Sequence, residues 1–461
     1  MVFDLNIKYI KKYIGEKMKK NKKFYMVSLG CPKNRIDSEI MLGELIENGY
    51  ELAESPKDAD TIIVNTCGFL ESAKEESLET IMEMAQHKEG NPNKKLVVSG
   101  CLTQRYSKEL EEGLEEADYL IGVGTFQNIA DILDKTQRVS VNDSHYLQSF
   151  DTPRINSMPF YTAYLKIAEG CSNNCSFCII PKIRGTQTSR TIEDIVKEAK
   201  QLVKTGVKEI NLVSQELTAY GEELYGSPKL LELLKELVKI EDLKWLRLFY
   251  NYPAGFSDEL IDLIATNDKI VNYIDMPLQH ISNNILKKMF RAGRGPLIRD
   301  LIKKIRNKIP DAHLRASFIV GFPGETEDDF NELYDFIQEV RFEHLGVFEY
   351  SPEEGTEAAD MPEQIDENIK KYRKDKIMKL QNIISGDIME AYVDTVIEVL
   401  VDGVSDESEF LLQGRHRGQA IGIDGIVYLN DNTENIKSGD IVKVYITQAG
   451  DYDLVGKIIK K

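Results

Sequence analysis

Apolar residues run uninterrupted over 24–29, 61–65 and 96–99, which predicts buried strands, and apolar residues recur at helical spacing over 38–47 and 73–86 between them. Strand alternating with helix predicts an open parallel sheet, assigned to residues 24–142. A polar stretch at 143–162, with a turn signal at 151–154, reads as a linker. Six further strand-like runs follow at 163–168, 209–213, 246–250, 271–275, 314–320 and 344–350. Helical segments separate them near 192–204, 229–238, 258–265, 284–289, 297–308 and 327–340. Six such units are too few for a closed eight-unit barrel. A long charged helix over 365–388 completes a central domain of residues 163–390. The last segment, 391–461, alternates in short runs between Gly, Asn and Asp turns, the pattern of a small antiparallel β-barrel.

Length agrees with this division. At about 150 residues per domain, 461 residues make roughly three domains of an α/β protein. The formal net charge of −18 excludes a protein that coats nucleic acid, since phosphate binding runs on clustered Lys and Arg, but leaves room for a local basic patch. No apolar run reaches the length that spans a bilayer, so no membrane partner is expected. Residues 1–23 hold eight lysines with Asp4 and Glu16 and no Arg, which reads as a solvated basic extension and not a targeting peptide. The run of Lys370, Lys371, Arg373, Lys374 and Lys376 on the long helix reads by default as a solvated face.

The chemistry lies in the cysteines. Cys171, Cys175 and Cys178 put three thiols within eight residues. A disulfide framework belongs to short secreted chains, and this chain has only 6 Cys in 461 residues. A reducing, cytoplasmic setting fits better, where regularly spaced Cys means metal or catalysis. A closed four-ligand site needs a further Cys or His close by, which the following residues lack. Three ligands leave one metal position open. The other three cysteines, Cys31, Cys67 and Cys101, each follow one of the first three strand runs. They can be small buried hydrophobes. Their equivalent places in three successive units favour convergence at the carboxyl edge of the sheet, where ligands bind such sheets.

Three cysteines in the order Cys-x-x-x-Cys-x-x-Cys, with Phe177 before the last, resemble the signature of the radical S-adenosylmethionine (SAM) superfamily. The resemblance implies a 4Fe-4S cluster on Cys171, Cys175 and Cys178, a free iron position for SAM, and a partial (βα)6 barrel. In such a barrel chemistry gathers at the carboxyl ends of strands. That makes Phe177 a candidate to lie against adenine, Glu216 a candidate for the SAM amino group, and Gly321 and Gly324 candidates for close backbone approach to the nucleoside. His280, also at a strand end, is either a base or, as the reading favours, a hydrogen-bonded structural histidine. No catalytic acid or base is assigned.

The surroundings of Cys31 (Gly30, Pro32, Lys33, Asn34), of Cys67 (Asn65, Thr66, Gly68) and of Cys101 (Gly100, Leu102, Thr103) resemble the amino-terminal domain of the methylthiotransferases. Those enzymes join it to a radical SAM core and a carboxyl-terminal TRAM domain, which residues 391–461 resemble around Gly414, Arg415, Gln419 and Ala420. The resemblance implies a second 4Fe-4S cluster on Cys31, Cys67 and Cys101. The Cys-Pro-Lys-Asn form at Cys31 and the Glu353-Glu354-Gly355-Thr356 form are those of the RimO-type branch. That branch adds a methylthio group to the β-carbon of an aspartate in ribosomal protein S-twelve of the small ribosomal subunit, with a reductase supplying electrons. The last domain, with 12 Asp plus Glu against 7 Lys plus Arg, should attract a basic protein and repel tRNA. Two rival readings remain: a methylthiotransferase acting on the modified adenosine beside a tRNA anticodon, and a noncatalytic iron-sulfur sensor or scaffold.

Overall fold

The computed structural model describes residues 2–3, 22–142, 146–291, 294–430 and 435–459. Apart from residues 2–3 and 22–23, the expected basic extension lies outside them. Strands Lys23–Leu29, Thr61–Thr66, Lys95–Gly100, Tyr119–Ile121 and Val139–Ser140 form a parallel sheet in that order, with Glu51–Leu52 beside the first. Val2–Phe3 pairs antiparallel to Lys23–Leu29. Strands Thr61–Thr66 and Lys95–Gly100 are almost wholly buried, as continuous apolar runs in a parallel sheet should be.

The central domain is an open, wholly parallel six-stranded sheet in sequential order: Thr162–Lys166, Glu209–Val213, Trp245–Leu248, Ile270–Gln279, His313–Val320 and His344–Glu349. Along each strand the residues alternate in role. Ala163, Leu165, Ile210, Leu212, Leu246 and Leu248 face the outer helices in one large core. Tyr164, Lys166, Glu209, Arg247, Phe249, Tyr273 and Asp275 line the concave side. That side is charged and aromatic, and two neighbours cover it. Helix Pro32–Glu47 of the first domain fills one flank.

The last domain closes the other end. It is a closed barrel of five strands, Val396–Ser405, Ser408–His416, Val427–Leu429, Ile441–Ala449 and Leu454–Ile458. Its pairs are antiparallel except Val427–Leu429 with Leu454–Ile458, which run parallel, a refinement of the expected antiparallel barrel. Arg415 reaches out of it to Glu209 at 2.9 Å, and Tyr273 donates to Asp424 at 2.8 Å. Helix Glu367–Glu390 departs from its expected solvated face at two of the five cations, because Lys370 donates to the Tyr350 carbonyl at 2.9 Å and Arg373 to the Glu325 carbonyl at 3.1 Å, both buried, while Lys371 is exposed and Lys374 and Lys376 partly so. Among the described residues no helix is long and apolar enough to cross a membrane.

Candidate functional site

Two glycines bring the first three thiols together. Gly30 sits at φ +92°, and a Cβ there would stand 2.9 Å from the Cβ of Cys67, so the first strand end lies directly on the second. At Gly68 a Cβ would meet the backbone of Leu102 at 2.7 Å, which sets the second strand end on the third. Cys31 is extended (φ −103°, ψ 168°) and hands the chain to Pro32, which opens helix Pro32–Glu47. Cys101 opens helix Cys101–Arg105 directly. The Cys67 sulfur accepts the Phe69 N–H. Burial raises the Cys67 thiol, and pushes Cys101 up to about 12 although Arg184 opposes it.

The second triad lies on the loop between strand Ala168–Glu169 and the short helix Ile180–Arg184. Cys171 N–H donates to the Gly185 carbonyl at 3.1 Å, and Ser176 ties the loop to Lys288 and Met289. The Cys171 sulfur accepts the Asn173 N–H and that of Cys178 accepts the Ile180 N–H. Arg291 stands 3.6 Å from the Cys175 sulfur, held by its bond to the Pro277 carbonyl and by the Tyr252 ring. Burial raises Cys171 and lifts Cys178 to about 12. N–H donors and guanidinium groups aimed at sulfur favour thiolate, the form that binds metal.

Among the described residues no three His, Cys, Asp or Glu side chains crowd closely enough to hold a single ion. Ligands of a cluster stand apart by the width of its inorganic core, whereas ligands of one ion converge. Thiols with N–H and guanidinium donors to sulfur are a donor set that an iron-sulfur cluster takes.

A buried seam joins the two cysteine-bearing segments. Arg184, at the end of the short helix that follows Cys178, places Nε 3.3 Å from the Cys101 sulfur. The same guanidinium binds Asp37 at 2.8 Å, Asn34 at 3.2 Å and Glu169 at 3.2 Å. Lys166 closes the ring with 2.9 Å to Asp37 and 2.8 Å to Glu169, and Gln215 donates to Glu169 at 2.6 Å. Burial alone would raise the Glu169 carboxyl, but Lys166 and Arg184 hold it below its ordinary value. Beside this ring Lys33 rests on the Tyr250 ring at 3.5 Å.

A second bridge uses Glu353, 2% exposed, which accepts from Arg105 at 2.8 Å, Lys74 at 3.2 Å and the Glu71 N–H at 3.1 Å. Lys182 donates to the Gly355 carbonyl at 2.6 Å. The Glu-Glu-Gly-Thr stretch therefore docks the first domain onto the core. Glu353→Ala leaves Lys74 with Glu71 and Arg105 with the Gly68 and Glu354 carbonyls but removes the charge that joins them, and is expected to cost about 1–2 kcal/mol. Denaturant unfolding checks this, and a loss under about 0.5 kcal/mol would contradict a bridging role.

Glu216, of the residues anticipated around SAM, accepts from Asn173 in the cysteine loop at 3.2 Å, from Ala219 N–H at 2.9 Å and from Thr218. Phe177 packs edge-on against Phe322, 6.5 Å between centroids. Gly321 (φ +71°) faces Lys370, and Gly324 (φ +73°) faces Lys288 and Glu363. Phe177 and Glu216 thus belong to the loop's surroundings, while the two glycines lie against lysine side chains. His280 is fully buried, burial depresses it to about 3, and its Nδ1 accepts the Ser282 N–H at 3.0 Å, so it is a neutral structural histidine. Arg184, Asp37, Lys33 and the docking role of Glu353 escaped the sequence. The one signal available was that each sits within two to six residues of a cysteine or inside a motif already singled out.

Residues 23–122 match the uncharacterized protein family UPF0004, residues 165–337 the radical SAM superfamily and residues 393–459 the TRAM domain. The chain is 50% identical over 439 residues to a ribosomal protein uS12 methylthiotransferase RimO of Anaeromyxobacter sp. (strain K), covering 95% of this chain and 93% of that one. Identity to the protein of the same name from Citrifermentans bemidjiense is 48% over 446 residues, covering 96% and 99%. A solved radical SAM methyltransferase, TsrM from Kitasatospora setae, shares the fold with a TM-score of 0.55 at 15% identity, over 74% of this chain and 77% of that one.

Proposed function

This chain belongs to the ribosomal protein uS12 methylthiotransferase family, and from that premise we propose that it adds a methylthio group to the β-carbon of one aspartate in ribosomal protein uS12. It is a radical SAM enzyme. The observation that supports the reading is the seam itself: a guanidinium from the helix that follows the cysteine loop lies against a thiol of the first domain and so joins the two cysteine-bearing segments.

Cys171, Cys175 and Cys178 would hold one 4Fe-4S cluster, and Cys31, Cys67 and Cys101 a second. When bound, these groups supply the electron that cleaves SAM to a 5′-deoxyadenosyl radical and the sulfur that enters the product. The chain's own residues hold and insulate that chemistry. Arg184 and Arg291 place positive charge beside sulfur on either triad. Glu216, tied to the cysteine loop, offers a carboxylate to the SAM amino group. Phe177, packed on Phe322 beside the cysteine loop, and the backbone at Gly321 and Gly324 are proposed for the nucleoside, on the faces that Phe322, Lys370 and Lys288 leave open. Lys166, Asp37, Glu169 and Gln215 form a buried ring that fixes the two domains in register.

The last domain favours a basic protein substrate. Two of its few cations are engaged inward, Arg415 with Glu209 and Arg417 with the Ile270 and Asp268 carbonyls. Its outer face keeps Asp406, Glu407, Glu409 and Glu398 in solvent. An external reductase supplies the electrons.

Reconstituted enzyme is expected to carry about eight irons per chain, and about four would overturn the two-cluster assignment. Incubated with SAM, reductant and a peptide of the uS12 loop, it should add the mass of a methylthio group to the peptide. Modification of tRNA instead, with binding that weakens steeply as salt rises, would replace this reading with the tRNA one.

A further inference from the structure

We propose that Lys33, seated on Tyr250 where the auxiliary triad meets the mouth of the barrel, binds the side-chain carboxylate of the substrate aspartate. The inference rests on the function proposed above and names the group that recognises the residue to be modified.

Lys33 is 8% exposed, yet among the described residues its ammonium has no carboxylate ion pair or hydrogen bond; it lies on the face of the Tyr250 ring at 3.5 Å, with the Cys31 sulfur as its nearest favourable charge. A ring beneath an ammonium leaves its N–H donors free for an anion. The nearby carboxylates are committed elsewhere. Glu169 is held by Lys166, Arg184 and Gln215, and Asp275 by Arg315 at 2.7 Å and the Tyr250 N–H at 2.8 Å. Nor does stability explain the charge. Lys33 occupies the first turn of helix Pro32–Glu47, where the helix dipole disfavours a cation, and burying an unpaired charge is costly.

The ring itself is set with care. Tyr250 has φ +60°, a conformation that bulky side chains rarely adopt, and it follows strand Trp245–Leu248 at the carboxyl end of the barrel. Strain of this kind persists where surroundings over-determine it, here through Asp275, and it collects at ligand sites. An ammonium with free donors, two residues from Cys31 and on the ring that follows a strand at the carboxyl end of the barrel, matches one anionic group on a small side chain. The aspartate carboxylate adjoins the carbon that gains sulfur, so gripping it fixes that carbon against both triads.

The test compares affinities of reconstituted enzyme for two labelled uS12-loop peptides, one with Asp at the modified position and one with Asn, by fluorescence anisotropy in the presence of SAM. The parent is expected to prefer Asp by about tenfold or more, the scale of a buried charge pair. Lys33→Met should bring the two affinities within about twofold, and Lys33→Arg should keep most of the preference. The ratio within one preparation is independent of how much enzyme is folded. A parent without preference, or Lys33→Met with the parent's ratio, overturns the proposal. A changed electron paramagnetic resonance spectrum of the auxiliary cluster with an unchanged ratio also overturns it and makes Lys33 a partner of the cluster. Failure of the parent to modify the Asp peptide is a separate result, which strikes the proposed function before any variant is measured.

Discussion

Cys67→Ala is expected to abolish methylthio transfer while leaving reductive cleavage of SAM in place, and Cys175→Ala to abolish both. Cys67 follows strand Thr61–Thr66 in the sheet of the first domain and feels the charge of Arg184, which bonds to Cys101. Removing it takes one of three sulfurs from the auxiliary site. Loss of an outer partner alone costs a metal site 10–100-fold, so loss of a ligand should lower transfer by more than about 100-fold. Cys175 is the middle thiol of the cysteine loop and the one beside Arg291. Without it the cluster proposed for the cysteine loop would lose a ligand, and no 5′-deoxyadenosine should form. Chromatography of 5′-deoxyadenosine and mass spectrometry of the peptide read the two activities separately. Transfer at the parent rate by Cys67→Ala would remove the auxiliary site from the reaction, and 5′-deoxyadenosine from Cys175→Ala would remove the loop from SAM activation.

Much of this arrangement was legible because chain-local chemistry encodes it. Continuous apolar runs marked the buried strands, and a cysteine directly after each of three of them follows from parallel topology. Helix Pro32–Glu47 was expected only from residue 38. Its first turns carry Lys33, Asn34, Arg35, Asp37, Ser38 and Glu39, a polar string that hides helical periodicity because those side chains are buried against other charges. Arg35 binds Ser157 at 2.7 Å, and Glu39 takes Arg154 at 2.6 Å. Such pairs join residues more than a hundred positions apart, which no window on the sequence sees. Lys370 and Arg373 misled for the same reason: a charge run looks solvated until the carbonyls it serves are in place. The parallel pair in the last barrel depends on which strand follows the crossover, a choice that alternation leaves undetermined.

Glu209→Gln should unlatch the last domain from the base of the barrel, at a cost of about 3–5 kcal/mol. The carboxylate is fully buried between two guanidiniums that are themselves buried, Arg247 at 3.1 Å and Arg415 at 2.9 Å. Arg415 keeps Asp402 at 2.9 Å when the carboxylate is lost, but Arg247 keeps only neutral partners such as the Arg417 carbonyl at 2.8 Å. A buried guanidinium cannot lose its proton to escape, so the penalty stays. Burial alone would raise the Glu209 carboxyl, but Arg415 and Arg247 outweigh it and hold the group below its ordinary value of 4.5. The sign follows from that depression. The contribution is fully present above pH 4.5 and is lost as pH falls through the folded-state value. Calorimetry of parent and variant should therefore show the largest gap near neutral pH and a narrowing gap below pH 4.5. A gap that is absent at neutral pH, or one that stays constant into acid, would mean that packing and not this ion cluster holds the last domain in place. Adding Arg247→Met to Glu209→Gln removes the stranded charge, and recovery of part of the loss would locate the cost in that guanidinium.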